Sequence, residues 1–290
     1  VPAEASGGRN YQGVCWYRKH FIVPQDLAGK TAVIHFEAIM GKQWVYVNGR
    51  QVKEHLGGYL PITVDLSAEG VKAGDSCVIA VKADNSDDKD YPPGKKQAQL
   101  DFAYHGGMYR DVWLMGLSPI HVTDPIERGQ VAAGGVFLHY DNITEKSADV
   151  FIDVETRNQQ TRYRPLPAGR GVYSSAALTA TIKDAEGKVV KVLKQKVSFG
   201  EDEYKTARLH ATLKNPRLWS PEDPYLYNVE LRLTASATGE ALDGGIVRMG
   251  IRLAEFRGKD GFWLNGKPYH QFVGGNRHQD FAYVGNALPN

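Results

Sequence analysis

Apolar and polar positions alternate with a period of two along most of this chain. Val33, His35, Glu37 and Ile39 alternate with Ile34, Phe36 and Ala38, and Trp44, Tyr46 and Asn48 alternate with Val45 and Val47. Successive side chains of a strand point to opposite faces, so this pattern predicts strands. No run of about a dozen residues carries an apolar stripe at helical spacing. Asn48-Gly49 predicts a tight hairpin, because both central residues of its turn need a positive φ that Asn and Gly tolerate. Ile62–Leu66, Cys77–Val81 and Asp111–Leu114 continue the series. Short strands cut by Gly, Pro, Asn and Asp predict a β-sandwich.

The pattern lapses from Asp84 to Arg110, where two adjacent prolines stand among Tyr91, Phe102, Tyr104 and Tyr109. A connection longer than about 15 residues inside a compact domain is usually functional or disordered. The aromatic content argues against plain disorder. Near Ser118-Pro119 alternation resumes, with strands predicted at 135–140, 148–156, 176–183, 188–199, 205–213, 225–233 and 246–251. About seven strands of this spacing fit an immunoglobulin-like sandwich, here without the Cys…Trp…Cys signature. Trp219 sits in a Pro-rich turn and is expected to pack a corner. Asn265-Gly266 predicts a second hairpin.

Composition excludes more than it identifies. Apolar residues make up 42%, charged residues 23%, and the formal charge is +2, so bulk electrostatics gives no reason to expect a nucleic-acid or membrane partner. No apolar run approaches the roughly 18 residues of a membrane span. Cys15 and Cys77 could pair but are too few for a disulfide framework, and two buried free thiols are expected. The chain opens on Val1, which fits a removed leader or a piece of a longer protein. A periplasmic or secreted location is the expectation. HExxH, Cys-x-x-Cys, G-x-S-x-G and phosphate-loop motifs are all absent.

The densest candidate chemistry lies near the end. Phe272 and Val273 run into Gly274 and Gly275, and then Asn276, Arg277, His278, Gln279 and Asp280 follow. A buried strand ending in glycines and a polar cluster has the makings of the mouth of a site, and of an element the chain starts without finishing.

Several segments in order carry a resemblance to glycoside hydrolase family 2, the family of β-galactosidases and β-glucuronidases. They are Val14-Cys15-Trp16-Tyr17-Arg18-Lys19, Val45-Tyr46-Val47-Asn48-Gly49, Gly57-Gly58-Tyr59-Leu60-Pro61, Gly107–Leu114, Leu218-Trp219-Ser220-Pro221, Gly250-Ile251-Arg252, Asn265-Gly266-Lys267-Pro268 and Asn276–Asp280. The resemblance implies an all-β fold of two consecutive β-sandwiches. A sugar-binding jelly roll would span 1–118 and an immunoglobulin-like domain 119–254, with 255–290 beginning a (β/α)8 barrel. It also implies a retaining β-glycoside hydrolase whose acid/base and nucleophile glutamates lie on later barrel strands. No catalytic residue is therefore expected in this chain, and the 290 residues alone are expected to be inactive.

The resemblance makes His278 a sugar contact, with Arg277 and Asp280 beside it. A salt bridge between Arg277 and Asp280 at the barrel mouth, with His278 merely satisfied, stays open. Asn10 and Asp87 resemble residues that reach the sugar subsite from the jelly roll, although each is also an ordinary turn residue. A sodium or magnesium ion in the whole enzyme is allowed, and no cofactor or metal site is expected in this chain. The expected partner is a β-galactoside bound by the whole enzyme, and the sandwiches could build a homo-oligomer. β-Glucuronidase specificity and a stand-alone carbohydrate-binding module are the alternatives.

Overall fold

The computed structural model describes residues 11–90, 92, 94–100, 106–160, 173–200 and 202–271. The chain divides into two compact units, with the break between Leu117 and Ser118. Strands dominate both, and no barrel closes among the described residues. The architecture is all-β, a jelly-roll-type sandwich followed by an immunoglobulin-like one.

In the first unit, β1 (Val14–Ile22), β7 (Ser76–Asp84), β4 (Lys42–Val47) and β5 (Arg50–Leu56) form a four-stranded antiparallel sheet in the order β1-β7-β4-β5. β6 (Ile62–Asp65), β2 (Thr31–Phe36) and β9 (Val112–Leu117) form a three-stranded sheet with β2 central. The alternation of β4 and β7 buries Val45, Val47, Ile79 and Val81 against Ile34, Phe36, Ile62 and Val64. Asn48 and Gly49 adopt φ of 49° and 87° between β4 and β5, the hairpin expected of that dipeptide.

The alternation read through Ile39 is in fact two strands. β2 stops at Phe36, where the Glu37 N–H donates to the Asp111 carbonyl, and Ile39–Met40 (β3) pairs instead with Gly107–Met108 (β8). Cys15 and Cys77 are free. Although β1 and β7 are paired, Cys15 lies opposite Ala83 and Cys77 opposite Phe21. Burial, together with Asp75, pushes the Cys77 thiol pKa up.

In the second unit, β12 (Ser147–Asn158) is flanked by β15 (Tyr204–Lys214) on one edge and by β10 (Ile120–Val122) and β11 (Val136–Asp141) on the other. The second sheet runs β14-β13-β16-β17, from β13 (Ser175–Lys183), β14 (Val189–Ser198), β16 (Tyr227–Ala235) and β17 (Ala241–Met249). Every second residue of β12 and β13 is buried, which places Val150, Ile152, Val154, Leu178, Ala180 and Ile182 in one core. β17 starts five residues before the predicted strand. Gly244 and Gly245 interrupt the apolar pattern there, but the chain still pairs with β16, and a Cβ on Gly244 would lie 2.6 Å from the Leu231 carbonyl oxygen.

A small sheet of β18 (Ala254–Phe256), β19 (Phe262–Leu264) and β20 (Lys267–Pro268) closes the described chain. Its hairpin residue Asn265 accepts from the Leu253 N–H (3.0 Å) and donates to the Trp219 carbonyl (3.0 Å), which ties the hairpin to the Pro-rich corner.

One short helix, α1 (Pro125–Arg128), escaped the period-two reading. Asp124 caps it through the N–H of Ile126 (2.7 Å), and Pro125 occupies the first turn, where its missing N–H costs nothing. α1 places Glu127 against His121 and Arg157. His121 is 1% exposed, with Nδ1 2.7 Å from the Ser118 carbonyl oxygen and Nε2 3.1 Å from a Glu127 oxygen. Arg157 donates to Glu127 at 3.0 Å and stacks on the Tyr204 ring, which also carries Arg128. Burial alone would raise the Glu127 carboxyl, but hydrogen bonds and charge from His121 and Arg157 outweigh it and hold the pKa below the usual glutamate range.

A group held in this direction stabilises the fold fully above its unfolded pKa and loses that contribution as pH falls through its folded value. Glu127→Ala, which removes the carboxylate that meets Arg157 and buried His121, is expected to cost about 1–3 kcal/mol at neutral pH. The gap between the wild type and Glu127→Gln should be full above about pH 5 and should shrink as pH falls below about 4, read by thermal unfolding across that range. A gap that stays constant down to pH 3 would show that Glu127 is not the responsible group.

Candidate active-site loop

Among the sequence-predicted site residues, Asp87 is the one that falls within the described structure. Asn10, Arg277, His278 and Asp280 lie outside the described residues. Asp87 belongs to the long connection that leaves β7, and that connection proves to be anchored at both ends.

The first anchor is Asn85, 2% exposed. Its Oδ1 accepts from the Gly13 N–H (2.9 Å) and its Nδ2 donates to the Tyr11 carbonyl (2.9 Å), both about seventy residues away along the chain. Its own carbonyl accepts from the Gln97 side chain at 2.6 Å. The Asn85 side chain thus ties the end of β7 to the chain just ahead of β1, and its backbone carbonyl ties it to the far side of the loop. The fit depends on missing side chains. A Cβ on Gly41 would lie 2.0 Å from the Asp84 carbonyl oxygen, and one on Gly106 would lie 2.5 Å from Asn85 Nδ2.

Beyond this anchor the loop is polar. Asp84 Oδ1 accepts from the Ser86 N–H at 2.9 Å, and Asp87 Oδ1 accepts from the Gln97 N–H at 2.8 Å, which caps the helical turn at Gln97–Gln99. Lys42 ion-pairs with Asp88. That hydrogen bond, then the Asp90 N–H, holds the Asp88 carboxyl below the usual range. Burial would raise Asp84, but bonds from Ser86 and the charges of Lys42 and Lys82 prevail and lower it. Ionised carboxylates accept hydrogen bonds and cannot donate them. Asp84 and Asp88 therefore stand in the loop as acceptors, and Asp87 lies exposed between them.

The second anchor closes the loop on the sheet. The Met108 N–H donates to the Tyr17 hydroxyl at 3.1 Å, and the Tyr109 hydroxyl donates to the Gly58 carbonyl at 2.5 Å. Burial pushes the Tyr109 pKa up, with Tyr59 adding to it. Gln43, also buried, donates to the Gly57 carbonyl at 2.7 Å from the adjoining strand. Sequence reasoning singled out Asp87 and the loop but missed Asn85, Gln43 and Tyr17. The partners of Asn85 and Tyr17 are remote along the chain, and those of Gln43 are backbone carbonyls, so no side-chain pattern marks them.

Among the described residues no three His, Cys, Asp or Glu side chains gather as metal ligands. The described loop offers acceptors held by its internal hydrogen bonds. It holds no pair of carboxyls that sequence or geometry assigns to acid and nucleophile.

The model of the glycosyl hydrolases family 2 sugar binding domain matches residues 1–118, and that of glycosyl hydrolases family 2 matches residues 135–252. A β-galactosidase of Thermoanaerobacter pseudethanolicus is 36% identical over 281 residues, and a β-glucuronidase of Formosa agariphila is 29% identical over 286. The chain spans about a third of the length of these curated relatives. The matches cover 97% and 96% of this chain but only 34% and 27% of the two relatives. Bacteroides uniformis β-glucuronidase 2, solved covalently bound to cyclophellitol-6-carboxylate aziridine, superposes with a TM-score of 0.82 at 30% identity, covering 96% of this chain and 31% of that one. With models of two successive domains of one family matched in order, this chain belongs to the glycosyl hydrolases family 2.

Proposed function

We propose that these residues form the non-catalytic, sugar-facing portion of a retaining β-glycoside hydrolase that acts on β-galactosides. The observation that carries the reading is the identity to a β-galactosidase along almost the whole chain, through both sandwiches. Retaining hydrolysis needs two carboxyls about 5–5.5 Å apart, one to protonate the leaving oxygen and one to attack the anomeric carbon. In this reading both belong to polypeptide outside residues 1–290. The chain's own contribution is positional, with Asp87 and the loop behind it supplying acceptors to sugar hydroxyls at the edge of the pocket. His278, with Arg277 and Asp280 beside it, is proposed as a further sugar contact of the whole enzyme.

A second reading, β-glucuronidase specificity, is favoured by the fold match to a β-glucuronidase over almost the same length. The two differ in the substrate's C6 group, a hydroxymethyl in one and a carboxylate in the other. Comparing kcat/KM of the whole protein on nitrophenyl β-galactoside and β-glucuronide separates them. A preference for the galactoside is expected, and a preference for the glucuronide would replace the first reading by the second.

The 290-residue chain alone should turn over neither substrate. Turnover that co-purifies with it through successive columns would contradict the placement of the catalytic carboxyls. In the whole protein, Asp87→Ala should lower kcat/KM about 10-fold or more, chiefly through KM, because it removes a charged acceptor without touching the reacting groups. Unchanged kinetics would remove Asp87 from the sugar contacts.

A further inference from the structure

The outer face of the β14-β13-β16-β17 sheet in the second unit carries charge of nearly one sign. Alternate residues of β13 from Ala176 to Ile182 are buried, so Ala177, Thr179, Thr181 and Lys183 face outward. By register Lys194, Thr179, Arg232 and Gly244 stand abreast on that face, and Lys196 lies beside Ala177 in the next row. Arg248 stands with Asn228 and Lys183 nearer the other end. Glu230, opposite Thr181, is the one acid among the outward residues of these strands, and Lys183 donates to it at 2.5 Å. Lys194, Lys196, Arg232 and Arg248 are left with no acid partner among the described residues.

Other cations of the unit are placed differently. Arg128, Arg157, Lys205, Arg208 and Arg217 each ion-pair with a carboxylate. Like charges gathered on one face repel, so folding alone gives no reason to leave this group unanswered. The undescribed positions of the unit, 161–172, 201 and 272–274, include Arg162, Arg164 and Arg170 and a single acid, Glu201. They hold too little negative charge to neutralise the face.

The outward residues also narrow the choice of anion. Ala177, Thr179 and Gly244 keep the surface low between the long cationic side chains, which leaves room for an extended chain to lie across the strands. Thr179 and Thr181 add hydroxyls that can donate and accept. The outward positions of the four strands carry no aromatic ring, the platform on which nucleic-acid bases stack. Against an anionic bilayer Glu230 would meet headgroups of its own sign. A second copy suits the face poorly. On the outer side of the opposite sheet Asp149 and Asp153 are already held by Thr212 and Arg208, and a contact between unlike faces would run on as an open chain.

We propose that this face binds an anionic polysaccharide, whose carboxylates or sulfates meet Lys194, Lys196 and Arg232 while its hydroxyls meet Thr179. The choice of a glycan over other polyanions rests on the hydrolase reading above. The surface would hold charged polymer on the protein without entering the reaction.

Calorimetric titration of the whole protein with polygalacturonate tests this, with dextran as the neutral counterpart. Polygalacturonate is α-linked, so a β-glycosidase does not consume it and binding is read apart from turnover. Polygalacturonate should bind, more weakly as salt is added, and dextran should not. Lys194→Ser, Lys196→Ser and Arg232→Ser together should weaken that binding about 10-fold or more. Lys205→Ser, Arg208→Ser and Lys214→Ser remove the same charge from β15 and should leave it near the wild-type value. No binding by the whole protein, or equal losses in the two variants, would overturn the proposal. So would equal affinity for a single-stranded oligonucleotide or for phosphatidylserine vesicles, which would make the face a general polyanion surface. Failure of the hydrolase reading shows separately, as absence of turnover of the nitrophenyl glycosides.

Discussion

A single buried carboxamide sets the geometry at the loop end of the first sandwich. The Asn85 side chain meets the Gly13 N–H and the Tyr11 carbonyl just ahead of β1, and its backbone carbonyl accepts from Gln97 across the loop. Leaving any of these groups unpaired in the interior would cost about 1–3 kcal/mol, so the loop has little freedom to leave its seat. Everything proposed for Asp87 depends on that seat. The glycines at 41 and 106 are its complement, since a methyl group at either would occupy space already filled by the chain around Asn85.

The core of the first unit holds this end in place. The inner rows of β4 and β7 make a dry core that fixes where β7 exits, and the loop starts from that point. In the second unit the polar cluster of His121, Glu127 and Arg157 sits at the start of the sandwich and ties α1 to β12. In both sandwiches buried polar groups tie neighbouring elements together.

Much of this was legible in the sequence, for a physical reason. A half-buried strand writes its two faces directly into alternate residues, so β4, β12 and β13 could be read off, and Asn-Gly marked both hairpins because few dipeptides accept two positive φ values. What failed to show was non-local or non-periodic. The first half of β17 carries Gly244 and Gly245, where close approach to Leu231 replaces a side-chain pattern. The break after Phe36 is set by pairing with residues some seventy positions later. Asn85 reads as one more polar residue in a polar loop, because its partners at Tyr11 and Gly13 announce nothing locally. Asp87 was reached through resemblance, and the structure adds the capping bond to Gln97 that composition could not reveal.

The central claim is that Asn85 acts on the sugar through the placement of Asp87. A double-mutant cycle on kcat/KM of the whole protein addresses it most directly, using Asn85→Ala, Asp87→Ala and the pair. If the amide works by seating the carboxylate, the two losses overlap, and the double variant falls short of their sum by about 1 kcal/mol or more. Losses that add within about 0.3–0.5 kcal/mol would show two independent roles and contradict the account.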